Sequence, residues 1–105
     1  MIDMSAKIHK VGQVLDASTS KTEQQAILQL IDEGNSVILD LSTCTYISSA
    51  GLRVILYAYK VAKAKNECIY LVGVCPEVRE IMGITGFEHF FRFFDTVEEC
   101  NQQIG

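Results

Sequence analysis

Apolar residues along this chain fall into two kinds of run: short continuous blocks, and longer stretches spaced three and four apart. Val37-Ile38-Leu39-Asp40-Leu41 and Ile69-Tyr70-Leu71-Val72-Gly73-Val74 are the blocks. Both are too short for a helix and are bounded by polar turn residues, so each predicts a buried strand. Ala26, Ile27, Leu30 and Ile31 make a helical stripe that opens on the capping box Ser20-Lys21-Thr22-Glu23 and stops at Gly34. A second helix is expected from about Ser49 to Lys63, and Pro76 opens a shorter one ending near Gly83. Phe87, Phe90, Phe91, Phe93 and Phe94 lead into a short strand, and Thr96-Val97-Glu98-Glu99 caps a final helix. Ile8, Val11, Val14 and Leu15 offer one or two short strands around Gly12, too little chain for a full hairpin, so an incomplete sheet edge is expected there. Alternating strands and helices predict one α/β domain over residues 1–105, a small mixed, mostly parallel sheet flanked by helices.

The helix beginning at Ser49 is more apolar than one buried face requires. Leu52, Ile55, Leu56 and Tyr59 form a core stripe, while Ala50, Val54, Tyr57 and Val61 form a second on the opposite side, with Arg53 and Lys60 between. Such a helix is either covered on both sides or keeps one face for a partner. The second stripe starts beside Ser49, which favours a docking face that includes Ala50, Gly51, Arg53, Val54 and Tyr57. No long heptad run accompanies it, so a monomer is expected.

Composition narrows the functions open to such a domain. At 105 residues with 49% hydrophobic positions, the chain can bury a core without staples. Its net charge of −4 argues against a nucleic-acid partner, which needs clustered Lys and Arg to replace counterions. No apolar run reaches the ~18 residues of a membrane span, and no signal-peptide profile opens the chain. A cytoplasmic protein without a membrane partner is the expectation. Cys44, Cys68, Cys75 and Cys100 contain no Cys-x-x-Cys pair, and only His9 and His89 could join them, so neither a metal site nor a disulfide is expected. A serine hydrolase would need a base beside its nucleophile. There is no Gly-x-Ser-x-Gly elbow, and both histidines lie in unremarkable contexts. Nor is there a Gly-rich phosphate loop, so no cofactor and no enzyme activity are expected.

The chemistry concentrates where the strand ending near Asp40 leads, through a polar connection, to Ser48-Ser49-Ala50-Gly51. Two hydroxyls there meet the free N–H groups and positive dipole end of the following helix. A serine at that position serves as a cap or carries a phosphate. The residues leave both open. Asp16 and Asp40, each at the end of an apolar run, read as turn formers that accept backbone N–H bonds.

The stretch Tyr46-Ile47-Ser48-Ser49-Ala50-Gly51-Leu52-Arg53-Val54-Ile55-Leu56, preceded by Asp40-Leu41-Ser42, resembles the signature of STAS domains, and among them anti-sigma factor antagonists of bacterial partner-switching systems. Leu15-Asp16-Ala17-Ser18-Thr19 and Val78-Arg79-Glu80-Ile81-Met82, with Gly86-Phe87, fit in the same order, so the resemblance runs from about Gly12 onward. It implies a STAS-like fold, a regulatory phosphosite at Ser49 with Ser48 as the second candidate, and Asp16 beside the phosphoserine loop. Many antagonists carry aspartate where this chain has Ser48. The implied partners are an anti-sigma factor that is also a serine kinase and a metal-dependent phosphatase that regenerates the binding form. Other roles for such a module are an adaptor subunit of a transport complex, or a sensor of a small ligand.

Overall fold

The computed structural model describes residues 6–104. In chain order the elements are β1 (Lys7–Lys10), β2 (Val14–Leu15), α1 (Ser20–Asp32), β3 (Val37–Asp40), β4 (Tyr46–Ile47), α2 (Ser49–Ala64), β5 (Ile69–Val72), α3 (Pro76–Ile84), a 3-10 turn (Phe87–His89), β6 (Arg92–Phe94) and α4 (Val97–Ile104). The main sheet has the order β1-β3-β5-β6, and β2 pairs with β4 in a separate two-stranded unit. Every pairing among the described residues is parallel. This is the expected α/β domain.

Burial of β3 explains the layering. Val37, Ile38 and Leu39 are all fully buried, because the central strand is covered on both faces. Val37 and Leu39 point to the larger core, with Leu71 of β5, Ile27 and Ile31 of α1, Ile55 of α2 and Met82 of α3. Ile38 points the other way, joining Val72, Phe94 and Cys100 of α4 in a smaller core. Alternation with period two along the strands thus puts α1, α2 and α3 on one face and α4 on the other.

β1 is an edge strand that pairs along its whole length with β3 and with no other strand among the described residues, and the expectation of an incomplete edge falls in part on residues 1–5. β1 and β2 do not form a hairpin; they belong to different sheets. Residues 1–5 lie outside the described part of the chain.

One helix start differs from the expectation. The Ser20–Glu23 capping box does not form: Thr19 is the N-cap, and its side chain makes no cap bond. Asp16 organises the turn instead. Its Oδ1 accepts from the Ser18 N–H at 2.9 Å and the Thr19 N–H at 3.2 Å. Ser20 Oγ donates back to the Ala17 carbonyl at 3.3 Å, and Glu23 faces His9 at 3.4 Å. Both members of the expected box are therefore engaged elsewhere. At α4, by contrast, Thr96 Oγ1 accepts from the Glu99 N–H at 3.1 Å.

Candidate functional site

The two-residue strands β2 and β4 set the position of the Ser48-Ser49 pair. Leu15 lies opposite Ile47 in their parallel register, and the Ser48 N–H extends the ladder by donating to the Leu15 carbonyl at 3.0 Å. Asp16 and Ser48 therefore leave the two strands side by side, bringing together two positions that are 32 apart in sequence. Ser48 has an extended backbone (φ −98°, ψ 176°) and caps α2, its Oγ accepting from the Gly51 N–H at 3.3 Å. Ser49 is the first residue of α2 and is exposed. Its hydroxyl makes no hydrogen bond among the described residues. The two adjacent serines thus differ: Ser48 is the cap, and the Ser49 hydroxyl has no hydrogen-bond partner among the described residues.

Asp16 is tied into its own turn. The Ser18 hydroxyl donates to its Oδ1 at 2.7 Å, and this bond, with those from the Ser18 and Thr19 N–H groups, holds the carboxyl below its ordinary pKa. The charge stays fixed beside the α2 start. At the end of β3, Asp40 Oδ1 accepts from the Ser42 N–H at 2.9 Å.

Gly51 has a role that the sequence reading missed. A side chain there would meet the Leu15 carbonyl oxygen and approach Ile47 Cγ1 to 2.9 Å. Its small size lets α2 start against β2, and the residue is buried, so it offers no approach to a partner. Ala50 is half-buried.

The second apolar stripe of α2 divides in the same way. Val54 is only 4% exposed and packs in the larger core with Ile27 and Ile31 of α1, so it is not part of a docking face. The physical reason is that α1 lies against α2 and its own apolar stripe needs that surface. Tyr57 remains 49% exposed. The open face is displaced by one residue from the expected stripe: Ser49, Arg53, Tyr57 and Lys60 are exposed at helical spacing. Arg53, Leu56, Tyr57 and Lys60 line a groove of about 460 Å³, closed on the α1 side by Gln24. Gln24 carried no signal of its own, and Leu56 was read only as part of the core stripe; placing α1 over Val54 is what would have revealed both at the groove.

Residues 4–100 match the model of the STAS domain. The chain belongs to the STAS domain family. It is 36% identical over 80 residues to BtrV of Bordetella bronchiseptica, whose name places it among anti-sigma factor antagonists, covering 76% of this chain and 69% of that protein. The fold is also that of the anti-sigma factor antagonist SpoIIAA in its unphosphorylated form (TM-score 0.82, 18% identity, 99% of this chain and 91% of the other). Part of the murine anion transporter Solute Carrier 26 family member A9 superposes equally well (TM-score 0.82, 16% identity), covering 99% of this chain but 18% of the transporter. The likeness to these two structures is one of fold. No helix among the described residues is long and apolar enough to cross a membrane. The cysteines are free, with Cys44 and Cys100 buried and their thiol pKa values raised mainly by desolvation.

Proposed function

We propose that this protein is an anti-sigma factor antagonist that works by partner switching in the cytoplasm. Unmodified, it binds an anti-sigma factor that is also a serine kinase; phosphorylated on Ser49, it is released; a metal-dependent phosphatase restores the binding form. The observation that carries this reading is the division of labour at the start of α2. Ser48 Oγ is engaged by the Gly51 N–H, whereas Ser49 is exposed and free of hydrogen bonds among the described residues. A kinase needs an accessible hydroxyl, and a phosphate of ≈ −1.5 to −2 charges at a helix N-terminus is tolerated by the fold. The same charge opposes an interface that closes over it. The kinship with BtrV supports the antagonist role.

The docking face in this reading is Asp16, Ser48, Ser49, Ala50, Arg53 and Tyr57, with the groove beyond. Arg53 and Lys60 line that groove and, among the described residues, no carboxylate does, so it complements an acidic stretch on the kinase. The protein acts as a substrate and ligand, not as an enzyme.

The test is a capture experiment from native lysate with wild type, Ser49→Ala and Ser49→Asp as baits. A kinase retained by wild type and Ser49→Ala but lost by Ser49→Asp supports the cycle. Recovery of a membrane ATPase instead would replace it with the transport-adaptor reading. Phosphate mapped to Ser48 would move the switch by one residue.

A further inference from the structure

Arg53 stands one helical turn after Ser49, and both residues are exposed. Residues at this spacing are neighbours on a helix, with Cβ atoms about 5–6 Å apart. Side chains on a helix lean toward its N-terminus, so a guanidinium at position 53, which lines the groove, is within reach of the turn that Ser49 occupies. An acidic group N-terminal to a basic one at this spacing is the favourable order. Arg53 makes no ion pair among the described residues, where the paired cations are His9, Lys65 and Arg79. Asp16, which follows β2 beside the start of α2, already has Oδ1 occupied by Ser18 and Thr19. On the α1 side of the groove the facing residue is Gln24, which is neutral, and Lys60 lies about two turns further along α2.

We propose that Arg53 is the internal counter-ion of phosphorylated Ser49, and that forming this pair withdraws the cation from the groove offered to a partner. The proposal rests on the reading of Ser49 as the phosphosite and adds how phosphorylation is transmitted. A phosphate accepts bidentate hydrogen bonds from a guanidinium, which an unmodified serine does not. Before modification Arg53 is available to an acidic partner. Afterwards it is held against its own helix, so release has two components: a new negative charge at Ser49, and the loss of a positive one next to it. Neither requires α2 to move.

Phosphoserine installed at position 49 during synthesis separates this inference from the identity of the natural phosphosite, because no kinase is needed. Four purified proteins are compared: Ser49 or phosphoserine at 49, each with Arg53 or Arg53→Gln. At low salt the phosphate should raise the melting temperature by about 2–6 °C more with Arg53 than with Arg53→Gln. The Arg53 Nε–Hε resonance should move downfield on phosphorylation, and 0.5 M salt should shrink both effects. Arg53→Lys should keep part of the stabilisation, since ammonium pairs as a point charge. An equal phosphate effect in both backgrounds, with an unmoved Nε–Hε resonance, would overturn the pair. Phosphopeptide mapping of kinase-treated protein tests the Ser49 reading separately. If the pair forms in the installed protein but the kinase labels another residue, the assigned regulatory role of Arg53 is wrong.

Discussion

The Ser48 N–H donates to the Leu15 carbonyl at 3.0 Å, and the same carbonyl oxygen is what a side chain at position 51 would strike. One backbone oxygen thus both anchors the entry to α2 and dictates glycine one turn into it. Gly51→Ala provides the test. By helix propensity alone, alanine should stabilise by about 0.5–1 kcal/mol. Overpacking against backbone reverses the sign, with a net loss of about 1–3 kcal/mol expected. For a domain of this size that lowers the melting temperature by roughly 4–8 °C per kcal/mol. A higher melting temperature would mean that β2 can retreat from α2.

The two serines should separate in stability as they do in geometry. Ser48→Ala removes the cap on the Gly51 N–H and should destabilise by about 1 kcal/mol, read as a fall in melting temperature or in urea midpoint. Ser49→Ala removes a hydroxyl with no partner among the described residues, and alanine is a good helix former, so the change should stay within about 0.5 kcal/mol. Kinase labelling should show the reverse, retained in Ser48→Ala and lost in Ser49→Ala. If Ser49→Ala is the more destabilised of the two, the caps have been assigned to the wrong residue.

These two positions also show what was legible in the sequence. β3, β5, α1 and α2 could be read from apolar runs and periodicity, because the central strands are buried on both faces and α2 is strongly patterned; α3 and α4 were legible from Pro76 and the Thr96 cap, and β1 only as one or two short strands around Gly12. The paired use of β2 and β4 could not, since two-residue strands carry no periodicity. The capping box at Ser20 was a correct pattern in the wrong place: Asp16 offered the backbone a tighter local partner four residues earlier. On α2, the sequence revealed an excess of apolar residues but not which stripe α1 would cover. Covering by α1 took Val54 inside and left Ser49, Arg53, Tyr57 and Lys60 as the open face.

Asp16 should impose an acid limb on stability. Its folded pKa is depressed below the ordinary aspartate value of about 4, chiefly by the Ser18 hydroxyl. Above that ordinary value the carboxylate is charged in both states, and its hydrogen-bond contribution is fully present. As pH falls through the unfolded and then the folded pKa, the unfolded state takes up its proton first and the contribution is lost. Asp16→Ala should lower stability at neutral pH and flatten the pH dependence below about 4, as followed by urea unfolding at stepped pH. An unchanged acid limb in the mutant would show that other carboxylates carry it.

Val54 and Tyr57 lie one turn apart on α2, the first buried and the second exposed, so aspartate at each position should separate folding from docking. Val54 is 4% exposed among the core residues Ile27, Ile31 and Ile55, so Val54→Asp puts an unpaired carboxylate into the space between α1 and α2. That should destabilise by several kcal/mol, enough to unfold a large fraction of a marginal domain. Loss of kinase binding in that variant would reflect unfolding. Tyr57, 49% exposed at the groove, should tolerate aspartate within about 0.5 kcal/mol of wild-type stability. In a complex that closes over the groove, the same change buries an unpaired charge and should cost ~2–5 kcal/mol, or roughly 30-fold to several-thousand-fold in affinity. The pair is read by a thermal melt and a binding titration on each variant. A folded Tyr57→Asp that binds its kinase as tightly as wild type would remove the groove from the docking face, leaving the turn around Asp16 and Ser49 as the whole of it.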